Sequence, residues 1–136
     1  MELGIDLGTA NTVVSDPRRG IVYDEPSVML LYRRGSRRER VLAVGREAAE
    51  LLGRAPSGYV AVRPLQDGVV TDLEVARLYL HSVLRKVGRR AWTARVRAVV
   101  GAPVGSTALE RRALIEAAEE AGIRPVTALD ESIAGA

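Results

Sequence analysis

One stretch near the start of the chain, Gly4-Ile5-Asp6-Leu7-Gly8-Thr9-Ala10-Asn11-Thr12, constrains the fold more than any other segment. An apolar strand delivers one aspartate, a glycine follows shortly, and then come small hydroxyl and amide side chains. Val13-Val14-Ser15 reads as a second strand, so the turn joins two strands of a hairpin. Glycine lets backbone approach an anion closely, and successive N–H groups in a tight turn make an anion-binding concavity. Asp6 is a hard oxygen ligand, suited to holding a water of a Mg²⁺ shell. A P-loop is a different device, since it needs G-x-x-x-x-G-K-[ST] leading into a helix. On local grounds the residues also describe a plain hairpin with Gly8 at its turn and a solvated Asp6.

At 136 residues the chain has the size of one domain with a real core. It has no cysteine, which excludes disulfides and thiolate metal sites, and its single histidine, His81, cannot build a zinc site alone. His81 falls in a predicted helix and reads as partly exposed scaffold. Lys86 is the only lysine among 20 basic residues, and the net charge is only +3. With heavy Ala, Val, Gly and Leu usage and no Phe, that balance suggests a GC-rich genome more than a nucleic-acid binder, and no nucleic-acid partner is expected. No apolar run has the length of a membrane span. The chain enters its first strand almost at once, leaving no room for a signal peptide, so the expected location is cytoplasmic. The basic run from Arg33 to Arg40 reads either as a solvated turn or as an attractor for an anionic surface.

Residues 2–7, 12–16 and 20–31 read as strands, the third bent at Glu25-Pro26-Ser27 because proline cannot donate to a ladder. Val41 to Val44 is a short strand, Gly45 to Leu52 a short helix closed by Gly53, and Tyr59 to Arg63 a half-buried strand. Pro64 to Gly68 is a turn before Val69-Val70. Thr71 and Glu74 have capping-box spacing, with Asp72 favouring the helix dipole. Leu73, Ala76, Leu80, Val83, Leu84 and Val87 then share one helical face up to Gly88. Val96 to Ala102 is a buried strand. Thr107 and Glu110 form a second capping box, opening a helix that Gly122 ends, and this spacing explains Glu110 by capping rather than catalysis. Pro125 to Leu129 is a last strand before a helix beginning near Asp130. The sum is an α/β fold, a mixed sheet with packed helices and a small α/β insertion. Such a topology is similar to that found in the ribonuclease-H-like half-domains of actin, sugar kinases and Hsp70.

Within that group the chain resembles the bacterial actin family of MreB, the rod shape-determining proteins. The first phosphate loop matches over Gly4 to Thr12. Glu25-Pro26-Ser27-Val28, Val44-Gly45, Leu52-Gly53-Arg54, Arg63-Pro64-Leu65-Gln66-Asp67-Gly68-Val69 and Glu110-Arg111-Arg112-Ala113 recur in the same order. Asp130-Glu131 stands where the family has paired glutamates, with Ser132 in place of a usual proline. The resemblance implies subdomain IA at 1–31 and 69–136 and an inserted subdomain IB at 32–68. Family members are more than twice this length, and the second phosphate loop and domain II are missing from these residues.

The resemblance also implies a role for each matching position. Asp6 would act in the magnesium shell of Mg-ATP, and Gly8, Thr9, Ala10 and Asn11 would contact its phosphates. Glu131 would orient the attacking water, or else serve as an acid at a helix start. With one phosphate loop only, negligible ATP hydrolysis by this chain alone is expected. Arg89, Arg90, Trp92 and Arg95 form a loop whose family counterpart touches the membrane; Trp92 packed on a neighbouring element is the other reading. The implied function is a cell-shape cytoskeletal protein with a partial ATP site, associating with itself or a full-length actin homologue. The alternative is a non-catalytic module that binds or modulates such a homologue.

Overall fold

The computed structural model describes residues 2–33, 40–88, 96–102 and 105–130. The elements run β1 (Glu2–Leu7), β2 (Asn11–Asp16), β3 (Gly20–Pro26), β4 (Met29–Tyr32), β5 (Arg40–Val44), α1 (Arg46–Glu50) and β6 (Tyr59–Val62). They continue with β7 (Leu65–Gln66), β8 (Val69–Val70), α2 (Leu73–Val87), β9 (Val96–Ala102), α3 (Ala108–Glu120) and β10 (Ile123–Asp130). The main sheet has five strands in the order β10-β9-β1-β2-β3, and a second sheet has three in the order β5-β4-β6. β1 pairs antiparallel with β2 and parallel with β9, and β9 pairs parallel with β10. Parallel neighbours need a crossover, which α3 supplies between β9 and β10.

Alternation along β1 explains its place at the centre of the sheet. Leu3, Ile5 and Leu7 are buried, while Glu2 and Asp6 on the other face are exposed. α2 buries Val75, Ala76, Tyr79, Leu80, Val83, Leu84 and Val87 and packs against β3, β5 and α3. The apolar stripe read from spacing recurs there, except that Leu73 is only partly buried and Tyr79 joins the face. α3 contributes Leu114 and the small residues Ala117 and Ala118. His81 is half-buried on α2; burial, with Arg77 and Arg85 nearby, holds its imidazole below the ordinary range.

Four local expectations are corrected. The N-cap of α2 is Asp72, not Thr71: the Asp72 carboxylate accepts from the N–H groups of Glu74 (3.0 Å) and Val75 (3.3 Å). Its second oxygen lies 3.5 Å from the Arg33 guanidinium, an option the Thr71 hydroxyl does not have. Glu74 pairs instead with Arg77, whose hydrogen bonds hold its carboxyl below the usual range. Next, the strand read over 20–31 is two strands in different sheets. β3 stops at Pro26, which has no N–H to extend the ladder, and β4 starts at Met29 beside β5 and β6. Third, the turn at Pro64–Gly68 contains a tiny hairpin of β7 and β8, with Asp67 (φ 52°) and Gly68 (φ 78°) as its loop. Two positive φ values are what a two-residue hairpin turn requires. Finally, the helix read over Gly45 to Leu52 forms only from Arg46 to Glu50. At the second capping box Thr107 accepts from the Glu110 N–H at 3.1 Å, as the spacing predicts.

α2 is fastened to the second sheet at both ends. Arg33, just past β4, reaches Asp72 at its start. Near its end, Lys86 Nζ donates to the Val44 carbonyl (3.1 Å) and lies 3.7 Å from Glu25.

Candidate functional site

The turn between β1 and β2 is closed by the Gly8 N–H donating to the Asn11 carbonyl at 3.0 Å. A Cβ on Gly8 would stand 2.6 Å from that same oxygen, so the turn leaves no room for a side chain there. Thr9, Ala10 and Asn11 are exposed, as is Asp6. Asp6 pairs in register with Val13 on one side and with Gly101 of parallel β9 on the other, and β9 in turn sets Ala102 beside Asp130 of β10. The turn, the end of β9 and the end of β10 therefore share one edge of the sheet, at the carboxyl ends of its parallel strands. Ligands of open α/β sheets sit at such edges.

Two further contacts hold the turn in place. Thr9 Oγ1 accepts from the Gly68 N–H at 2.9 Å, a link to the β7–β8 loop. Thr9 keeps its own proton to donate. The Ala10 carbonyl accepts from the Ser27 N–H at 2.8 Å. Carboxylate, hydroxyl, side-chain amide and backbone N–H together fit a phosphate chain with a hydrated divalent cation. Among the described residues no three His, Asp or Glu side chains cluster to hold a metal unaided. A single carboxylate acting through water is the arrangement Mg²⁺ commonly adopts beside phosphates.

Of the residues singled out from sequence, Asp6, Gly8, Thr9, Ala10 and Asn11 come together at this edge. Glu131, and the loop residues Arg89, Arg90, Trp92 and Arg95, lie outside the described residues, as does most of the basic run after Arg33. Sequence reasoning missed Ser27, Gly68 and Tyr79 as supports of the turn. Ser27 and Gly68 stood in recurring motifs and in turns, neither of which assigns them a contact with Ala10 or Thr9, and a tyrosine within an otherwise apolar helical face was the one available sign of a buried polar contact. A separate groove of about 540 Å³, lined by Glu2, Gly4, Ser15 and Val99 among others, lies toward the opposite ends of the same strands.

A mixed five-stranded sheet opening on a tight glycine hairpin, with a second small sheet between β3 and α2 in the chain, defines the actin-like class of fold. The chain belongs to the MreB/Mbl protein family, whose model matches residues 1–136. It is 40% identical over 137 residues to the cell shape-determining protein MreB of Escherichia coli (strain K12), covering 99% of this chain and 40% of that protein. Identity to the cell shape-determining protein Mbl of Bacillus subtilis (strain 168) is 40% over 121 residues, covering 89% of this chain and 35% of that one. Among solved structures, MreB5 of Spiroplasma citri bound to ADP superposes with a TM-score of 0.79 at 31% identity, covering 95% of this chain and 37% of that chain. A MamK double helical filament gives 0.73 at 28% identity, covering 95% and 40%. The chain thus spans well under half the length of these relatives. Among the described residues, no helix is long and apolar enough to cross a membrane.

Proposed function

We propose that this chain provides the first phosphate-binding half of an Mg-ATP cleft in a cytoplasmic, actin-like subunit of the cell-shape machinery. The observation that carries the reading is the turn closed at Gly8, where no side chain fits, with Thr9, Ala10 and Asn11 exposed and Asp6 beside them at the carboxyl edge of the sheet. Membership of the MreB/Mbl family and the nucleotide in the MreB5 structure support it. In this reading the main sheet with α2 and α3 is subdomain IA. The inserted subdomain IB, at 32–68, holds β5, α1, β6 and β7. Gly8, Thr9, Ala10 and Asn11 orient the phosphates, and Asp6 holds a water of the Mg²⁺ shell. Mg-ATP, when bound, supplies the phosphoryl group, for which positioning and charge neutralisation do most of the catalytic work. Glu131 follows directly on the β10 edge in sequence and is the candidate to orient water. Self-association or binding to a longer homologue fits the filament formed by MamK.

Calorimetric titration with Mg-ATP tests the assignment. Binding is expected, with Asp6→Ala weakening it roughly tenfold and removing its dependence on Mg²⁺, the scale of one charge-assisted hydrogen bond. No binding by the unmodified chain would overturn the nucleotide reading and leave the non-catalytic interaction module. Phosphate release by this chain alone is expected to stay at the level of a protein-free control.

Peripheral contact with an anionic membrane through Trp92 and its flanking Arg89, Arg90 and Arg95 belongs to the same proposal. Its support is an indole between cations in one short stretch of the sequence. Such a group favours the headgroup level, each cation adding about 1 kcal/mol. Co-sedimentation with vesicles containing phosphatidylglycerol should fall several-fold in Trp92→Ala. Equal sedimentation of the two proteins would dispose of this contact.

A further inference from the structure

The two sheets meet where the chain leaves β3 at Pro26 and enters β4 at Met29. Ser27 occupies that corner, and it is completely buried, together with Thr12 and Tyr79. The Ser27 hydroxyl lies 2.7 Å from the Thr12 hydroxyl. Tyr79, in the middle of α2, donates its hydroxyl proton to Thr12 Oγ1, also at 2.7 Å. Burial raises the Tyr79 hydroxyl above its ordinary range, so the proton stays on it. Three buried hydroxyls thus run in a chain from Tyr79 of α2 through Thr12, just after the turn, to Ser27 at the corner between the sheets.

This polar chain is not needed to fill space. Apolar groups of the same shape would pack the corner at little cost, because replacing every partner of a buried hydrogen bond is nearly neutral. A fully partnered buried network instead specifies one arrangement of the elements it joins. Here the arrangement bears on the ligand side of the turn. The Ser27 N–H holds the Ala10 carbonyl at 2.8 Å. In a planar trans peptide the carbonyl and the following N–H point in opposite directions. Anchoring the Ala10 carbonyl therefore turns the Asn11 N–H away from Ser27, toward the side on which Gly8 closes the turn.

We propose that Ser27, Thr12 and Tyr79 are positioning residues of the phosphate turn, a buried hydroxyl relay that presets the Ala10–Asn11 peptide for an anionic oxygen and ties its geometry to α2. The proposal deepens the Mg-ATP reading of the same site and rests on it for the identity of the ligand. None of the three touches the ligand; they act through the backbone of the turn.

The test compares the unmodified chain with Tyr79→Phe and Thr12→Val, both nearly isosteric. Two measurements are made on each folded protein: Mg-ATP affinity by calorimetry, and amide hydrogen exchange by NMR at Gly8, Ser27 and the central strand residue Ile5. Both variants are expected to bind Mg-ATP about tenfold more weakly, the scale of one lost hydrogen bond. Exchange at Gly8 and Ser27 should accelerate by a similar factor while Ile5 keeps its ratio to global unfolding. Unchanged affinity with unchanged exchange at Gly8 and Ser27 overturns the proposal. Acceleration shared equally by Ile5 also overturns it, since it marks a role in stability alone. If the unmodified chain fails to bind Mg-ATP, the nucleotide reading falls and the exchange comparison decides the positioning role by itself. Ser27→Ala replaces either variant that does not fold.

Discussion

Gly45→Ala is expected to cost the fold roughly 3 kcal/mol, the sum of about 1–2 for left-handed backbone and about 1–3 for overpacking. Gly45 has φ 68°, and a Cβ there would run into both the Glu25 carboxylate and the Tyr23 hydroxyl. Neither obstacle is free to withdraw. Glu25 Oε1 accepts from the Arg46 N–H at 2.9 Å and faces Lys86. Tyr23 is buried, and burial beside Tyr79 and Glu25 pushes its hydroxyl well above the ordinary tyrosine range. Gly45 also closes the joint between β4 and β5 by donating to the Val28 carbonyl at 2.9 Å. A domain of this size carries about 5–15 kcal/mol in total, so the loss is a large fraction. Urea unfolding should show a lower midpoint with the same slope. Gly53→Ala provides the comparison: its φ is 79° but nothing lies within 4 Å of a Cβ, so only the backbone cost should appear. Equal midpoints for Gly45→Ala and the unmodified chain would refute the crowding argument.

Gly8→Ala should act on the ligand rather than on the fold. The added Cβ meets backbone, the Asn11 carbonyl at 2.6 Å, so the turn must open instead of a side chain moving aside. Opening it breaks the Gly8–Asn11 hydrogen bond and misplaces the N–H groups between them. An overpacking cost of about 1–3 kcal/mol, applied to the bound form, predicts a loss of Mg-ATP affinity between roughly fivefold and 150-fold. The unfolding midpoint should move less than for Gly45→Ala, because Thr9, Ala10 and Asn11 are exposed and the turn stands at the rim of the sheet. Calorimetry on the two proteins checks this, and affinity retained within twofold (about 0.4 kcal/mol) would contradict it.

The opening hairpin was legible because its information is local: alternating burial in β1, a glycine, and polar residues at one turn. The Thr107 cap was legible for the same reason, as donor and acceptor sit three residues apart. At α2 two cap-forming residues, Thr71 and Asp72, are adjacent, and spacing alone favoured the wrong one. Asp72 offers two oxygens, and Arg33, 39 residues away, takes the second. The split of the third strand was half-legible. Pro26 announced an interruption, but not that the chain beyond it joins another sheet.

The sequence by itself determined the class of fold, from residues repeating at a fixed interval; the glycine turn with Asp6 beside it, from neighbours in the chain; and the family, from motifs that recur in the same order along the chain. Only the tertiary structure decided how the turn is held: Gly68 on Thr9, Ser27 on Ala10, and Tyr79 on Thr12 are contacts across 59, 17 and 67 positions. Such contacts leave no periodic trace. Each depends on where two sheets and a helix come to rest against one another, and burial sets the energy of a hydroxyl only once that packing exists.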